Sequence, residues 1–280
     1  MVTSKKTSLT RKHAGSARTA SAGPVAAPAP ADGTQAIRRA GALLRAVAKA
    51  GSDGAPLSEV ARATGLARST AHRMLRCLLE EGFLEGADED RRYRMGPLIY
   101  ELGLTSASSA METARWRRVV DAVARRTGVT TYLMRRSGVE AVCLAKADGH
   151  SVVRFVPVDV GQRRLLGVGA GATALLAAMP AASAEHVIDT IAPDLRPWPR
   201  ITADSLRLGV GLARRTGFAI SQGTVVDDGF GMGCAVPGTP HLAISIAAHA
   251  SLATESNVRQ WRAAMTEEIA KGVDGARRQS

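Results

Sequence analysis

Side chains that can grip nucleic acid crowd one short stretch of this chain: Arg68, Ser69, Thr70, His72, Arg73 and Arg76 all fall within residues 57–82, LSEVARATGLARSTAHRMLRCLLEEG. A guanidinium pairs with phosphate oxygens, or bidentately with the edge of a guanine, while hydroxyl and imidazole groups bond to phosphates or base edges. In the same stretch Ala71, Met74, Leu75 and Leu78 recur at i, i+3, i+4, i+7, which is one apolar face of a helix. The polar set therefore takes the other face and sits mostly early in the helix, the part that a helix-turn-helix inserts into the major groove. An ordinary helical hairpin with a solvated basic face is the competing reading. Ala61 followed by Gly65 argues against it, since two steeply crossing helices need a small residue at the contact and glycine at the turn.

The surroundings fit that assignment. Ser58 is expected to cap the first helix of the pair, Val60 and Ala61 to face inward, Gly65 to end the helix in a left-handed conformation, and Leu66 to plug the turn. A supporting helix is expected over residues 35–50, with Ile37, Ala40, Leu43, Leu44 and Val47 on one face. Two short strands are expected at 83–85 and 93–95, joined by a polar loop. Helices followed by such a hairpin make a winged helix. Arg92 and Arg94, with Arg91, place positive charge on the wing, partly offset by Asp88, Glu89 and Asp90.

Composition sets outer limits. A chain of 280 residues with 45% hydrophobic content buries enough surface for two domains. A net charge of +12 favours an anionic partner, nucleic acid or an acidic membrane surface. Part of the excess belongs to a Ser/Thr/Ala/Pro-rich tail at 1–33, expected to be disordered. Three cysteines, Cys77, Cys143 and Cys234, are too scattered for a disulfide framework and suit a reducing cytoplasm. No apolar core follows the basic N-terminus, so no secretory signal is expected. The uncharged run at 165–184 carries three glycines and Pro180, and reads as a glycine loop feeding a buried helix rather than a membrane span.

Beyond the wing, residues 97–113 read as a linker helix and 114–127 as an amphipathic helix. Strands are expected at 129–134, 140–145, 151–158, 218–226, 233–236 and 242–249. Helices are expected at 167–179, 184–191, 205–216 and 255–273. The second domain is therefore α+β, an antiparallel sheet flanked by helices. The run Gly167-Val-Gly-Ala-Gly-Ala is not a dinucleotide loop, because Arg163-Arg164-Leu-Leu before it is a poor strand and no βαβ unit is evident. The glycine N–H groups at a helix start can still hold a ligand carboxylate. Cys234 reads as a pocket-lining thiol, with no base nearby in sequence. His186, His241 and His249 lack metal-ligand spacing, and no cofactor motif is present. Chemistry by an enzyme would have to use Asp227, Asp228 and Cys234 around a cleft. DNA binding without ligand control is a third possibility.

Taken together, the helix at 37–50, the segment ARSTAHR, the wing RRYRMGP, GVGAGATALLA, and RTGFAI, GMGCAVP and LAISIAA near the end resemble the IclR-type transcriptional regulators of bacteria. The likeness runs over roughly residues 34–273. It implies a winged helix-turn-helix at 34–96, a linker helix at 97–113 and an effector-binding domain of GAF-like fold at 114–275. It further implies a homodimer or dimer of dimers that binds double-stranded operator DNA in the cytoplasm, controls transcription in response to a small molecule, and is neither membrane-bound nor an enzyme. DNA contacts are implied at Arg68, Ser69, Thr70, His72 and Arg73, to which the residue pattern adds Arg76 on the same helix face and Arg92 and Arg94 on the wing. An effector site is implied around Gly169, Ala170, Ser221, Met232, Cys234 and Ser245. The family form Pro-Leu-His-x-Thr-Ala-x-Gly-Lys-Ala is altered here, with Gly167, Gly169 and Thr173 at the His, Thr and Lys positions. That loss of polar side chains points to a larger or less polar ligand.

Overall fold

The computed structural model of this chain describes residues 32–87, 92–105, 107–151 and 158–277. The N-terminal tail, the acidic wing tip at 88–91 and most of the strand expected at 151–158 lie outside the described residues. Residues 39–280 group as one unit.

The helical head is built on helix periodicity. Leu43 and Val47 of α1 (Asp32–Lys49), Val60 and Ala61 of α2 (Leu57–Thr64) and Ala71, Leu75 and Leu78 of α3 (Arg68–Glu80) close on one cluster. Leu84 of β2 (Leu84–Ala87) completes it. Each large aliphatic side chain buried there contributes about 1.5–3 kcal/mol. Gly65 ends α2 at φ 66°, ψ 15°, and its N–H closes the helix on Ala61 and Arg62 carbonyls. That is the left-handed cap expected of it. Ser58 is not the cap. The helix starts at Leu57 with Pro56 in the cap position and no side-chain cap bond, and Ser58 is exposed inside the first turn. Pro56 belongs to β1 (Ala55–Pro56), which pairs with β3 (Arg92–Met95), so the strand fixes where the helix begins. The wing sheet has the order β1-β3-β2.

After α4 (Pro97–Leu104), helix α5 (Ala107–Thr127) begins inside the expected linker. The second domain is α+β, with an antiparallel sheet whose described strands run β6-β5-β4-β9-β8-β7. These are β4 (Thr130–Ser137), β5 (Glu140–Ala147), β6 (Arg163–Leu165), β7 (Ala219–Gln222), β8 (Gly229–Val236) and β9 (Thr239–His249). On one face Trp116, Val120 and Val123 of α5 and Trp261, Met265 and Ile269 of α9 (Glu255–Arg277) pack in a single cluster with the sheet. The Trp261 indole N–H donates to the Thr127 carbonyl at 3.1 Å and pins the two helices together. Against the other face lie α6 (Ala170–Ala177), α7 (Ala181–Ile191) and α8 (Ala203–Thr216).

A strand in the second domain, like β1 in the head, departs from expectation. Arg163–Leu165 does form β6, antiparallel to β5, with Leu165 opposite Glu140. Two arginines make a poor central strand, and among the described strands β6 stands at the edge, where charge discourages further pairing. Arg163 Nε reaches the Glu140 carboxylate at 2.8 Å and its Nη2 the Ser137 hydroxyl at 2.8 Å, which holds the edge in place. The antiparallel pairing still excludes a βαβ nucleotide unit.

Candidate functional site

The basic face of α3 is assembled as its spacing requires. Ala67 occupies the cap position without a side-chain bond, and the first turn carries no acidic residue, so the positive end of the helix is bare. Arg68, Ser69, His72 and Arg73 are exposed and Thr70 half-buried. Arg76 is exposed too, but its Nε pairs with Glu80 one turn on at 3.0 Å. Arg92 and Arg94 are drawn inward from the wing. Arg92 Nη1 donates to the Gly54 carbonyl at 2.9 Å and Arg94 Nε to the Ser52 carbonyl at 3.0 Å, so both tie β3 to the turn that follows α1.

The second site is a small, partly open pocket between the sheet and the start of α6. Gly169, Ala170, Ser221 and Ser245 line it together. Met232 and Cys234 do not. Side chains alternate along a strand, and in β8 the larger ones (Phe230, Met232, Cys234, Val236) join the cluster under α5 and α9. The intervening Gly231 and Gly233 face α6 instead: a Cβ on either would come within 3.3 and 2.9 Å of Ala170. The glycines therefore let the start of α6 settle onto β8; Gly231 and Phe230 line the pocket, and Met232 and Cys234, expected there, lie outside its lining. Thr173, at the family's Lys position, turns its hydroxyl back onto the Gly167 and Gly169 carbonyls at 3.1 and 3.0 Å and fixes the glycine loop.

Residues missed from sequence complete the walls. Tyr132 and Met134 of β4 and Arg164 of β6 line the cavity, as do Val168, Val225 and Ile246. Tyr132 stands directly opposite Ser245 in the β4–β9 pairing. Alternation already put Tyr132 and Met134 on one face; only the pairing reveals that this face meets the cavity. Tyr132 is 2% exposed, and its hydroxyl is buried with no hydrogen-bond partner among the described residues. Burial, reinforced by the nearby Cys143, holds the phenol protonated far above its usual range. Burial also lowers the Arg164 pKa, with Tyr132 acting in the opposite sense.

The groups that could have served catalysis are not gathered. Asp227 and Asp228 are exposed, Asp227 pairing with Arg200 at 2.9 Å, while Cys234 sits across the sheet. Burial pushes the thiols of Cys143 and Cys234 up to about 12. Among the described residues no group of His, Cys, Asp or Glu could hold a metal ion, and no helix is long and apolar enough to cross a membrane.

Comparison with known proteins bears on both sites. Residues 36–88 match the model of the IclR helix-turn-helix domain and residues 106–274 that of the bacterial transcriptional regulator IclR C-terminal region. The glycerol operon regulatory protein of Streptomyces coelicolor is 36% identical over 138 residues, covering 49% of this chain and 50% of the relative. The chain thus spans about half the length of the curated relatives it matches. Among solved structures, an IclR transcriptional regulator from Silicibacter superposes with a TM-score of 0.72 at 22% identity, covering 85% of this chain and 95% of that one. An IclR homolog from Microbacterium hydrocarbonoxydans complexed with 4-hydroxybenzoate gives 0.65 at 22% identity, covering 86% and 99%.

Proposed function

The chain belongs to the IclR family of bacterial transcriptional regulators, and on that premise we propose that it is a sequence-specific DNA-binding regulator whose C-terminal domain senses a small molecule. The observation that carries this reading is the bare, basic first turn of α3, presented by a packed helix-turn-helix in the same chain as a pocketed sheet domain. Arg68 and Arg73 are the principal contacts to guanine or phosphate; Ser69, Thr70 and His72 add bonds to phosphates or base edges. Arg76 contributes less while Glu80 holds it, and Arg92 and Arg94 position the wing. The head spans residues 34–96, the linker 97–113 and the sensing domain 114–275. A homodimer or dimer of dimers reads a pseudo-palindromic operator with half-sites about one helical turn apart, in the cytoplasm where the genes are.

A ligand changes DNA affinity only by binding two arrangements of the heads unequally. The buried, protonated thiols and the scattered carboxylates favour this reading over an enzyme. Fluorescence anisotropy of the purified chain on DNA from upstream of its own gene, and then on genomic fragments, against scrambled DNA in a salt series tests it. Tight binding to one sequence is the expected result. Equal, weak, salt-sensitive binding to every fragment is what basic charge alone produces, and it overturns the proposal.

A further inference from the structure

We propose that the solvent face of α8 is a contact between copies of this chain: it pairs antiparallel with α8 of a second dimer and joins the two into a dimer of dimers. This inference rests on the homodimer of the reading above and goes further by naming the face and the geometry of the second contact.

Helix α8 buries one side only. Leu206, Val210 and Ala213 enter the core. The opposite side carries Asp204, Leu208, Leu212 and Arg215, spaced i, i+4, i+8 and i+11, which at 3.6 residues per turn is a single stripe. Leu208 is 76% exposed and Leu212 44%. Single exposed leucines are ordinary on a protein surface. Two of them one turn apart, facing away from the core and flanked by unlike charges, form a seam. Asp204 stands almost fully exposed in the first turn and gives Oδ1 to Arg207 Nη1 at 3.0 Å, which leaves Oδ2 for a partner. Arg207 is itself engaged by Glu185 and Asp189 of α7. Arg214, in the last turn, donates to the Ala177 and Met179 carbonyls. Arg215 is therefore the cation left on the stripe, and among the described residues no ion pair holds it.

Asp204 and Arg215 stand about 16 Å apart along the helix axis. A two-fold axis between Leu208 and Leu212 stacks the four leucines of two copies and brings each Arg215 to the Asp204 of the other copy. It also sets the two helix dipoles against each other. A parallel pair would put Asp204 on Asp204 and Arg215 on Arg215. The charge pattern thus selects the antiparallel arrangement, an isologous contact that closes on two copies. Area decides what such a contact does. Two helices meeting over two leucines each bury far less than the roughly 1,200 Å² of a stable interface. The contact does not make the dimer; it joins dimers already formed, so that four heads engage DNA as one unit.

The test is sedimentation velocity of the full chain from micromolar to tenths of millimolar concentration. The wild type is expected to pass from dimer to tetramer. Leu208→Glu should remain a dimer throughout, a weakening of about a hundredfold or more. It should unfold in urea as the wild type does, because the side chain faces water in the single copy. Asp204→Lys alone and Arg215→Asp alone should each weaken the tetramer about tenfold by setting like charges together. Both changes in one chain should recover it. Reversing both charges opposes the helix dipole at each end, so recovery reports the contact and not the fold. A wild type never larger than a dimer, a tetramer that survives Leu208→Glu, a fall of Leu208→Glu to monomer, or a double reversal no better than the single ones overturns the assignment. The first two are what a face covered by a different protein, or by another segment of this chain, produces. Anisotropy on the operator is read from the same preparations. Sequence-selective binding by a wild type that stays dimeric removes the α8 contact alone, and a tetramer without selectivity removes the regulator reading alone.

Discussion

Lys49 Nζ, at the end of α1 in the helical head, lies 2.7 Å from Glu140 Oε1 in the sheet domain. The other oxygen of that carboxylate is held by Arg163 Nε at 2.8 Å. One carboxylate thus spans the head and the edge strand β6, and the next residue along β6, Arg164, lines the cavity. Contacts of this kind are where differential affinity for two head arrangements can act.

Glu140 and Arg163 are 14% and 13% exposed at their side chains, whereas Lys49 is 52% exposed. Glu140→Gln strands a shielded guanidinium and is expected to cost about 2–3 kcal/mol in denaturant melts. Lys49→Met removes a screened charge and should cost below about 1 kcal/mol. Burial alone would raise the Glu140 pKa, but bonds from Lys49 and Arg163 and their charges outweigh it and hold the group below its ordinary 4.5. A depressed folded pKa gives stability that is present above the unfolded value and lost as pH falls through the folded one. The wild type should therefore lose stability faster than Glu140→Gln as pH drops below about 4.5. Parallel pH profiles for the two proteins would sink the assignment.

On α3 the free and the paired arginines should separate. Arg73→Ala is expected to cost about 1–3 kcal/mol on the operator and to relax the preference at one base pair. Arg76→Ala should cost less, because Glu80 already holds its Nε. Glu80→Gln is expected to tighten binding to all sequences alike by releasing that guanidinium toward phosphate. Anisotropy on the operator and its single-base variants reads all three, and equal losses for Arg73→Ala and Arg76→Ala would contradict the pairing argument.

Legibility from sequence tracked how local the cause was. Ala71, Leu75 and Leu78 repeat at helical spacing opposite a basic face, so α3 and its buried side are legible at once; Gly65 marks the turn for a purely local reason. β1 and β6 escaped, because a two-residue strand ending in proline and a pair of arginines become strands only through their partners β3 and β5. The cavity residues divide the same way. Gly169, Ala170, Ser221 and Ser245 came from the family likeness and do line one space. Met232 and Cys234 lie outside it, because they join the cluster under α5 and α9 while Gly231 and Gly233 face α6. Tyr132 was invisible as a site residue because its position opposite Ser245 is a fact of long-range register.

Thiol reactivity gives an independent reading of the β8 parity. Cys77 is exposed on α3, while Cys143 and Cys234 are buried and pushed up to about 12. At pH 8 only about one in ten thousand of such buried thiols is ionised. Iodoacetamide should therefore modify Cys77 within minutes in the native protein and reach the other two only in denaturant. Peptide mass spectrometry distinguishes them; labelling of Cys234 as fast as Cys77 would place it on an open surface rather than under α5 and α9.

Adding one methyl group at two glycines should change stability in opposite directions. A Cβ on Gly233 would sit 2.9 Å from the Ala170 carbonyl oxygen and 3.0 Å from both the Ala170 carbonyl carbon and the Gly171 nitrogen. All three are backbone atoms at the start of α6, a helix buried from Ala170 to Leu176. The helix start cannot yield without lifting off the sheet, so Gly233→Ala is expected to cost about 1–3 kcal/mol and to weaken any cavity ligand. Gly211 lies inside α8, where an added Cβ approaches nothing closer than the flexible end of Arg215 at 3.6 Å. There the same change removes only backbone freedom and should stabilise by about 0.5–1 kcal/mol. Urea melts of the two variants settle the matter: if Gly233→Ala matches or exceeds wild-type stability, α6 does not rest on β8 as closely as the geometry states.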